Sequence, residues 1–157
     1  MTPQKVTPCL WFDGQAEEAA AFYTSVFPDS GITKVTPGPT GAALVVEFHL
    51  AGVRFIALNG GPQYKFTEAV SFQVSAAGQE EVDRYTEQLT AGGGEIGPCG
   101  WVKDRFGLSW QIVPDVLPQL VGDPNPLRAS AAVQAMLKMT KIDIEGLRAA
   151  ADAAAPA

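Results

Sequence analysis

The chain has 157 residues, a formal net charge of −6 and a sequence pI near 4.7, and 46% of its residues are apolar. This length and composition allow a buried core, while the acidic balance argues against nucleic acid as a partner, because a phosphate backbone attracts basic surfaces. No apolar run approaches the roughly 18 residues of a membrane helix, and the N-terminus lacks the apolar core of a signal peptide, so we expect a cytoplasmic protein without a membrane partner.

The first half of the chain predicts a strand, a helix and three further strands. An apolar stripe with helical spacing predicts a helix over 13–27, with Asp13 as its cap. Runs of apolar and aromatic residues predict the strands, which lie at 6–12, 32–37, 43–50 and 53–59. A loop over 60–66 then separates this half from the next.

The same order of elements restarts after this loop. A strand is predicted over 70–75, and a helix over 78–94 that ends in three glycines. Closing strands are predicted within 95–104 and 108–114. Phe22 and Tyr85, on the two predicted helices, lie 63 positions apart, as do Val26 and Leu89. The sequence therefore predicts an α+β fold built from two consecutive βαβββ units.

The segment after Pro114 is rich in alanine and leucine and predicts a helical extension. One helix is predicted to begin at Asp123 and a second, shorter one at Asp143, with a fraying alanine-rich end. We expect the extension to lie on the sheet or on a partner subunit. The whole chain is interpreted as one domain, with unit one at about 4–60, unit two at about 68–114 and the extension at 115–157.

The two cysteines, Cys9 and Cys99, lie far apart in the sequence and form no CxxC or zinc-type spacing. In a cytoplasmic protein such cysteines are expected to be reduced and at least partly buried. The glycine runs at 59–61 and 91–95 do not precede a helix, so neither predicts a phosphate or S-adenosylmethionine site.

Three motifs resemble a known family. The segments 7–30, 55–74 and 99–114 are similar to the PhnB-like group, also called 3-demethylubiquinone-9 3-methyltransferase domain proteins. This group belongs to the vicinal oxygen chelate superfamily, which includes the glyoxalase, bleomycin-resistance and dihydroxybiphenyl dioxygenase folds. The resemblance implies two facing cups of sheet around a cavity, and a homodimer.

The same resemblance implies a divalent metal with ligands on the first and last strands of each unit. Carried onto this chain, the four ligand positions fall at Pro8, Ala57, Ala69 and Gln111. Only glutamine offers a side-chain donor there, and a slip of one residue would add no more than Cys9 or Glu68. We therefore expect neither a metal of the glyoxalase type nor another cofactor, with a divalent ion held elsewhere as the alternative.

Three residues are candidates for acid–base catalysis. Glu47 and His49 share one face of a predicted strand, where they are either a functional pair or part of a solvated face. Asp104 lies in an Asp-Arg-Phe-Gly segment, where it either organises a turn or reaches the cavity together with Lys103.

Strand alternation groups the candidate ligand-binding residues. Trp101 and Lys103 share one face of their strand, and so do Ser109 and Gln111, while Trp110 points the other way and is expected to pack beneath the helices. Aromatic side chains in a concave site give large contact areas at low entropic cost. The candidates for ligand contact are Cys9, Trp11, Asn59, Trp101, Lys103 and Gln111.

Four functions are compatible with these residues. The preferred one is a small organic molecule bound in a metal-free, aromatic-lined cup, in a sequestering or sensing role. The alternative is an enzyme of the lyase, isomerase or dioxygenase type, using a divalent metal or Glu47 and His49. A third is the methyltransferase of the family name, although no glycine-rich turn of a parallel sheet is present. In the fourth, side chains fill the cup and the protein acts through an interface.

Overall fold

A computed structural model describes residues 3–157. Their elements are β1 (Cys9–Phe12), α1 (Ala16–Val26), β2 (Gly31–Pro37), β3 (Ala43–Leu50), β4 (Val53–Asn59), β5 (Ser71–Ala76), α2 (Gln79–Thr90), β6 (Glu95–Ile96), β7 (Trp101–Lys103), β8 (Ser109–Pro114), α3 (Leu117–Val121), α4 (Pro126–Leu137) and α5 (Ile144–Ala154). The chain divides into two compact units, one ending at Phe66 and the other running from Thr67 to Ala157. The predicted α+β fold with two strand–helix–meander units is confirmed.

Unit one is a mixed sheet with the strand order β1-β4-β3-β2, in which β1 and β4 run parallel and the other pairs antiparallel. The buried face of β3 carries Val46, Phe48 and Leu50, which alternate with half-buried residues. Helix α1 lies against this face. The other face of the sheet is not covered by α1.

Helix α1 packs closely because it is rich in alanine. Ala16, Ala19 and Ala20 are fully buried, and Tyr23 stacks on Phe48 with ring centroids 6.4 Å apart. Small side chains let the helix axis approach the sheet closely, and the rings of Tyr23 and Phe48 fill the space that the alanines leave. The prediction that Asp13 caps this helix is wrong, since the helix begins at Ala16.

Unit two repeats the plan with the strand order β5-β8-β7-β6. Its buried face carries Val74, Val102, Trp110 and Ile112, and helix α2 lies against β7 and β8. The opposite face carries Trp101, Lys103 and Gln111; Trp101 on β7 is the register partner of Gln111 on β8, and Lys103 is that of Ser109. The predicted alternation along these strands is therefore confirmed, including Trp110 on the helix side.

The helical extension begins with α3, a short helix that the sequence did not predict. The next helix does not begin at Asp123 but at Pro126, because Asn125 caps it by accepting a hydrogen bond from the Leu127 N–H at 3.0 Å. Helix α5 follows Asp143 as predicted. Within unit two the extension packs through Ile142, Leu147 and other fully buried side chains.

The end of α5 is fastened rather than frayed. Arg128, which is 8% exposed, donates to Asp152 at 2.8 Å and to the carbonyl of Ala155 at 2.7 Å. Its Nε donates to Asp123 at 3.0 Å. One guanidinium therefore joins the loop before α4 to the last turn of α5, because its planar fork presents several donors at once.

No helix in residues 3–157 is long and apolar enough to cross a membrane.

Candidate ligand site

The candidate ligand site is a cleft of about 370 Å³ in unit two, on the side of the sheet away from α2. Its walls are mainly apolar, and its charged residues are two glutamates and one lysine. Its lining includes Glu68, Glu95, Ile96, Pro98, Trp101 and Lys103. Two of the predicted ligand residues, Trp101 and Lys103, therefore line the same cleft. We call it the Trp101 cleft.

The carboxylates of the Trp101 cleft surround its single cation. The Lys103 ammonium contacts a Glu68 carboxylate oxygen at 2.5 Å, and Glu95 lies opposite Lys103 in the β6–β7 register. Hydrogen bonding and charge attraction from Lys103 lower the pKa of Glu68, while Glu68 first and then Glu95 raise the pKa of Lys103. The set carries a formal charge of −1 when all three groups are ionised.

The direction of each pKa shift determines the pH range in which the ion pair between Glu68 and Lys103 contributes to stability. Because the pKa of Glu68 is lowered in the fold, its contribution is present above the ordinary value of 4.5 and is lost as pH falls through the lowered value. The raised pKa of Lys103 makes its contribution present below 10.5 and lost as pH rises through the raised value. Both side chains are well exposed, so solvent screening keeps the contribution small.

Gln111 lies beside the cleft and bonds to a neighbouring strand. Its Nε2 donates to the Ser71 Oγ at 2.8 Å, which joins β8 to β5 on the face opposite α2. Its register partner on β7 is Trp101. Gln111 therefore joins two strands of the sheet and lies, as an amide, next to the Trp101 indole.

Asp104 organises the turn between β7 and β8. The residue is 2% exposed, and its Oδ1 accepts from the backbone N–H groups of Phe106 at 2.9 Å and Leu108 at 3.1 Å. Its Oδ2 accepts from the Trp110 indole at 2.9 Å. Of the two readings of Asp104, the geometry supports the turn, because the carboxylate is committed to three donors of its own hairpin.

In unit one the predicted ligand residues lie on opposite sides of the sheet. Cys9 and Trp11 lie on the face that α1 does not cover, in register with Ile56 and Leu58. Cys9 is exposed, and the desolvation that remains at this position raises the pKa of its thiol, which makes the thiol a weaker nucleophile. The Trp11 indole donates to the carbonyl of Gly61 at 2.8 Å.

Asn59 lies on the helix side of the sheet. Its Oδ1 accepts from the N–H of Ala16 at 2.9 Å, at the start of α1, and its Nδ2 donates to the carbonyl of Ala43 at 2.9 Å. Both the oxygen and the nitrogen of the Asn59 amide are thus hydrogen-bonded to the backbone of unit one. Asn59, from the end of β4, supplies the capping contact that the sequence assigned to Asp13.

Glu47 and His49 share the uncovered face of unit one, as predicted. Lys34 is the register partner of Glu47 on β2, and Arg54 is that of His49 on β4. Lys34 and Glu47 thus form a cross-strand pair of opposite charge, which is typical of a solvated strand face.

The residues at the metal positions that the resemblance implies do not fit a divalent ion. Ala57 is fully buried on the helix side of unit one, Pro8 and Ala69 have no side-chain donor, and Gln111 is engaged with Ser71. Across residues 3–157 no three His, Cys, Asp or Glu side chains are placed to share an ion. A divalent ion prefers several oxygen or imidazole donors that converge on one point.

Of the residues that line the Trp101 cleft, only Trp101 and Lys103 were predicted as ligand residues, and both of its acidic residues were missed. Glu68 was considered only as a metal donor after a slip of one position, and Glu95 was not considered at all. Strand β6 has two residues, too few to show an alternating pattern, so its register with β7 had no sequence signal.

Comparisons with known proteins agree with this fold. The family model named 3-demethylubiquinone-9 3-methyltransferase matches residues 4–113. The PhnB protein of Bacillus cereus, which bears the same family name, is 31% identical with a TM-score of 0.64, and the alignment covers 71% of this chain and 99% of that one. No protein of curated function matches the chain.

More distant structures share the fold alone. The protein PA1353 of Pseudomonas aeruginosa is 16% identical with a TM-score of 0.59, over 71% of this chain and 98% of that one. FosX, a fosfomycin resistance protein of Listeria monocytogenes solved with Mn(II) and sulfate, is 22% identical with a TM-score of 0.52, over 71% of this chain and 92% of that one. By the extent of the family match and the identity to the Bacillus protein, the chain belongs to the PhnB-like 3-demethylubiquinone-9 3-methyltransferase family.

Proposed function

We propose that this protein binds a small, largely apolar organic molecule in the Trp101 cleft, without a metal, in a sequestering or sensing role. The observation that carries the proposal is the cleft itself: about 370 Å³, mainly apolar, with one indole and three charged side chains. Ligand sites in proteins measure about 300–1,000 Å³ and combine apolar walls with a few polar groups. The indole of Trp101 would provide the largest flat contact surface.

The charges favour a neutral or positively charged ligand over an anion. The single lysine is already paired with Glu68 and lies opposite Glu95, so an incoming carboxylate would have to compete with two carboxylates for one ammonium. An ammonium group would instead meet a net charge of −1 and an aromatic face, which attracts cations.

Three probes with the same ring test this proposal. 2-Naphthylmethylamine and 2-naphthylmethanol are expected to bind more tightly than 2-naphthoate in calorimetric titrations, and Trp101→Ala is expected to weaken the binding of the amine by about 30-fold. Removing a central aromatic anchor costs about 2 kcal/mol in many interfaces, and about 1.4 kcal/mol corresponds to tenfold.

The variant Trp101→Phe provides the control, because it keeps an apolar ring in the cleft, and it is expected to retain most of the affinity. If each probe bound Trp101→Ala as tightly as it binds the wild type, the proposed site would be contradicted. Preferential binding of the naphthoate would contradict the proposed ligand class.

We also propose that the protein is a homodimer, as the resemblance to the superfamily implies. Light scattering at micromolar concentration is expected to give twice the chain mass of 16.6 kDa. A mass equal to one chain over the whole accessible concentration range would refute this proposal.

A cytoplasmic location is proposed for the same protein. Both cysteines are free thiols, and free thiols are typical of proteins in reducing compartments.

A further inference from the structure

The helical extension is fastened to the turn that forms one wall of the Trp101 cleft. We call residues 97–101 the wall turn; Gly97, Pro98 and Trp101 line the cleft. The two intervening residues face the extension through their backbone. The N–H of Cys99 donates to the carbonyl of Met139 at 2.9 Å, and the N–H of Gly100 donates to that of Thr140 at 2.7 Å.

The wall turn has an unfavourable backbone conformation, which the hydrogen bonds to Met139 and Thr140 stabilise. Cys99 has φ of +56° and Gly100 has φ of +83°, and a residue with a Cβ rarely adopts the left-handed region. On its other side the turn is fixed by the Ile112 N–H, which donates to the carbonyl of Gly100 at 2.8 Å. The turn is therefore held between β8 and the extension.

Packing at Gly100 is equally close. A Cβ at this position would lie 2.8 Å from the carbonyl oxygen of Ile112 and 3.1 Å from Cγ1 of Ile142. Ile142 is fully buried. The extension thus approaches the backbone of the wall turn as closely as a glycine allows, and a displacement of Ile142 would leave a gap beneath it.

The segment that contacts the wall turn is itself held by Gln79, the first residue of α2. The Gln79 Nε2 donates to the carbonyl of Ile142 at 2.9 Å, and its Oε1 accepts from the N–H of Ile144 at 2.9 Å. Lys141 also contacts Asp83 of α2 at 2.8 Å. Gln79 is not among the residues that line the Trp101 cleft. It can act on the cleft through the extension or through its own helix, where it donates to Asp83 at 3.0 Å and α2 lies against β7 and β8, so a control substitution on α2 is needed.

We infer that the extension is a positioning element: docking of residues 139–144 sets the conformation of the wall turn and, through it, the shape of the Trp101 cleft. The family model ends at residue 113, so this element is an addition to the matched fold. If a ligand occupies the cleft, which rests on the function proposed above, its binding and the docking of the extension stabilise each other, since coupling between two sites is reciprocal.

The first test needs no ligand. Gln79→Met keeps the length of the side chain and removes both hydrogen bonds to the extension. Amide hydrogen exchange at Cys99 and Gly100 is expected to be at least about tenfold faster in this variant, because weaker docking opens the turn more often. Ile142→Val, which shortens the side chain against Gly100, is expected to give a smaller change in the same direction.

Gln88→Met is the matched control, because it makes the same substitution on the same helix at a side chain whose Oε1 accepts no hydrogen bond from the described residues. It is expected to leave exchange at the wall turn unchanged. Unchanged exchange at Cys99 and Gly100 in both Gln79→Met and Ile142→Val would overturn the inference. An equal acceleration in Gln88→Met would overturn it as well.

The second test uses 2-naphthylmethylamine. Its dissociation constant is expected to rise about three- to tenfold in Gln79→Met and to stay unchanged in Gln88→Met. Faster exchange with an unchanged dissociation constant would overturn the coupling to the cleft. If no naphthyl probe binds the wild type, the proposed function fails, and the exchange measurement still decides whether the extension positions the wall turn.

Discussion

Asp104→Ala is expected to lower the free energy of unfolding by about 3 to 4 kcal/mol, and Asp104→Asn by about 2 kcal/mol. The carboxylate is buried and accepts from two backbone N–H groups and from the Trp110 indole. Alanine leaves all three donors without this acceptor. Asparagine preserves one oxygen for the backbone but places an amide donor opposite the indole N–H. Urea unfolding followed by circular dichroism measures both changes.

A double-mutant cycle identifies the contact responsible. Trp110→Phe removes the indole donor, so the cost of Asp104→Asn is expected to be smaller in the Trp110→Phe background than in the wild type. Asp115→Asn makes the same change at an exposed residue just after β8 and is expected to alter stability by less than about 0.5 kcal/mol.

The sign of the effect also separates the two readings of Asp104. Residues retained for catalysis often reduce stability, so their replacement leaves a protein as stable as before or more so. A wild-type free energy of unfolding in Asp104→Asn would therefore contradict the role of the carboxylate in the turn and favour the catalytic one.

Local periodicity explains what the sequence predicted well. Trp101, Lys103 and Gln111 share a face because side chains alternate along a strand whatever surrounds it. The Asp-Arg-Phe-Gly turn was predictable for a similar reason, since the aspartate bonds to N–H groups two and four residues away. Interactions within a few residues leave a signal in composition and spacing.

The alternation of side chains along a strand could not predict which face of the sheet in unit one the helix covers. Phe55 and Ala57 alternate along one face of β4, and the metal position carried onto Ala57 is therefore buried on the helix side. The uncovered face carries Ile56 and Leu58 instead, beside Cys9 and Trp11. A shift of one residue in a strand exchanges its two faces, so an alignment uncertain by one position misplaces every ligand on it.

Contacts between residues far apart in the sequence were not predicted either. Asn59 caps a helix that begins 43 positions earlier, and Gln79 holds a segment 63 to 65 positions later. Glutamine and asparagine give no sign of such partners, because any backbone group can satisfy them. The contacts between the wall turn, the extension and Gln79 were missed for this reason, although two of the three helices of the extension were expected.

Gly60→Ala is expected to lower the free energy of unfolding by about 1 to 3 kcal/mol and to displace the Trp11 indole. A Cβ at Gly60 would lie 2.2 to 2.4 Å from three carbon atoms of that indole. The ring cannot easily yield, because its Nε1 donates to the carbonyl of Gly61 and its edge contacts Tyr64, with ring centroids 4.8 Å apart. Urea unfolding gives the stability, and a red shift of tryptophan fluorescence would report the displaced ring.

Gly38→Ala is the matched control, since it adds the same methyl group in the same unit. A Cβ there meets its nearest atom, Cβ of Leu44, at 3.4 Å, so this variant is expected to unfold within about 0.5 kcal/mol of the wild type. Wild-type stability and fluorescence in Gly60→Ala would show that the indole is free to move. Trp11 would then be a mobile side chain on the uncovered face of unit one, instead of a fixed surface on which a ligand could rest.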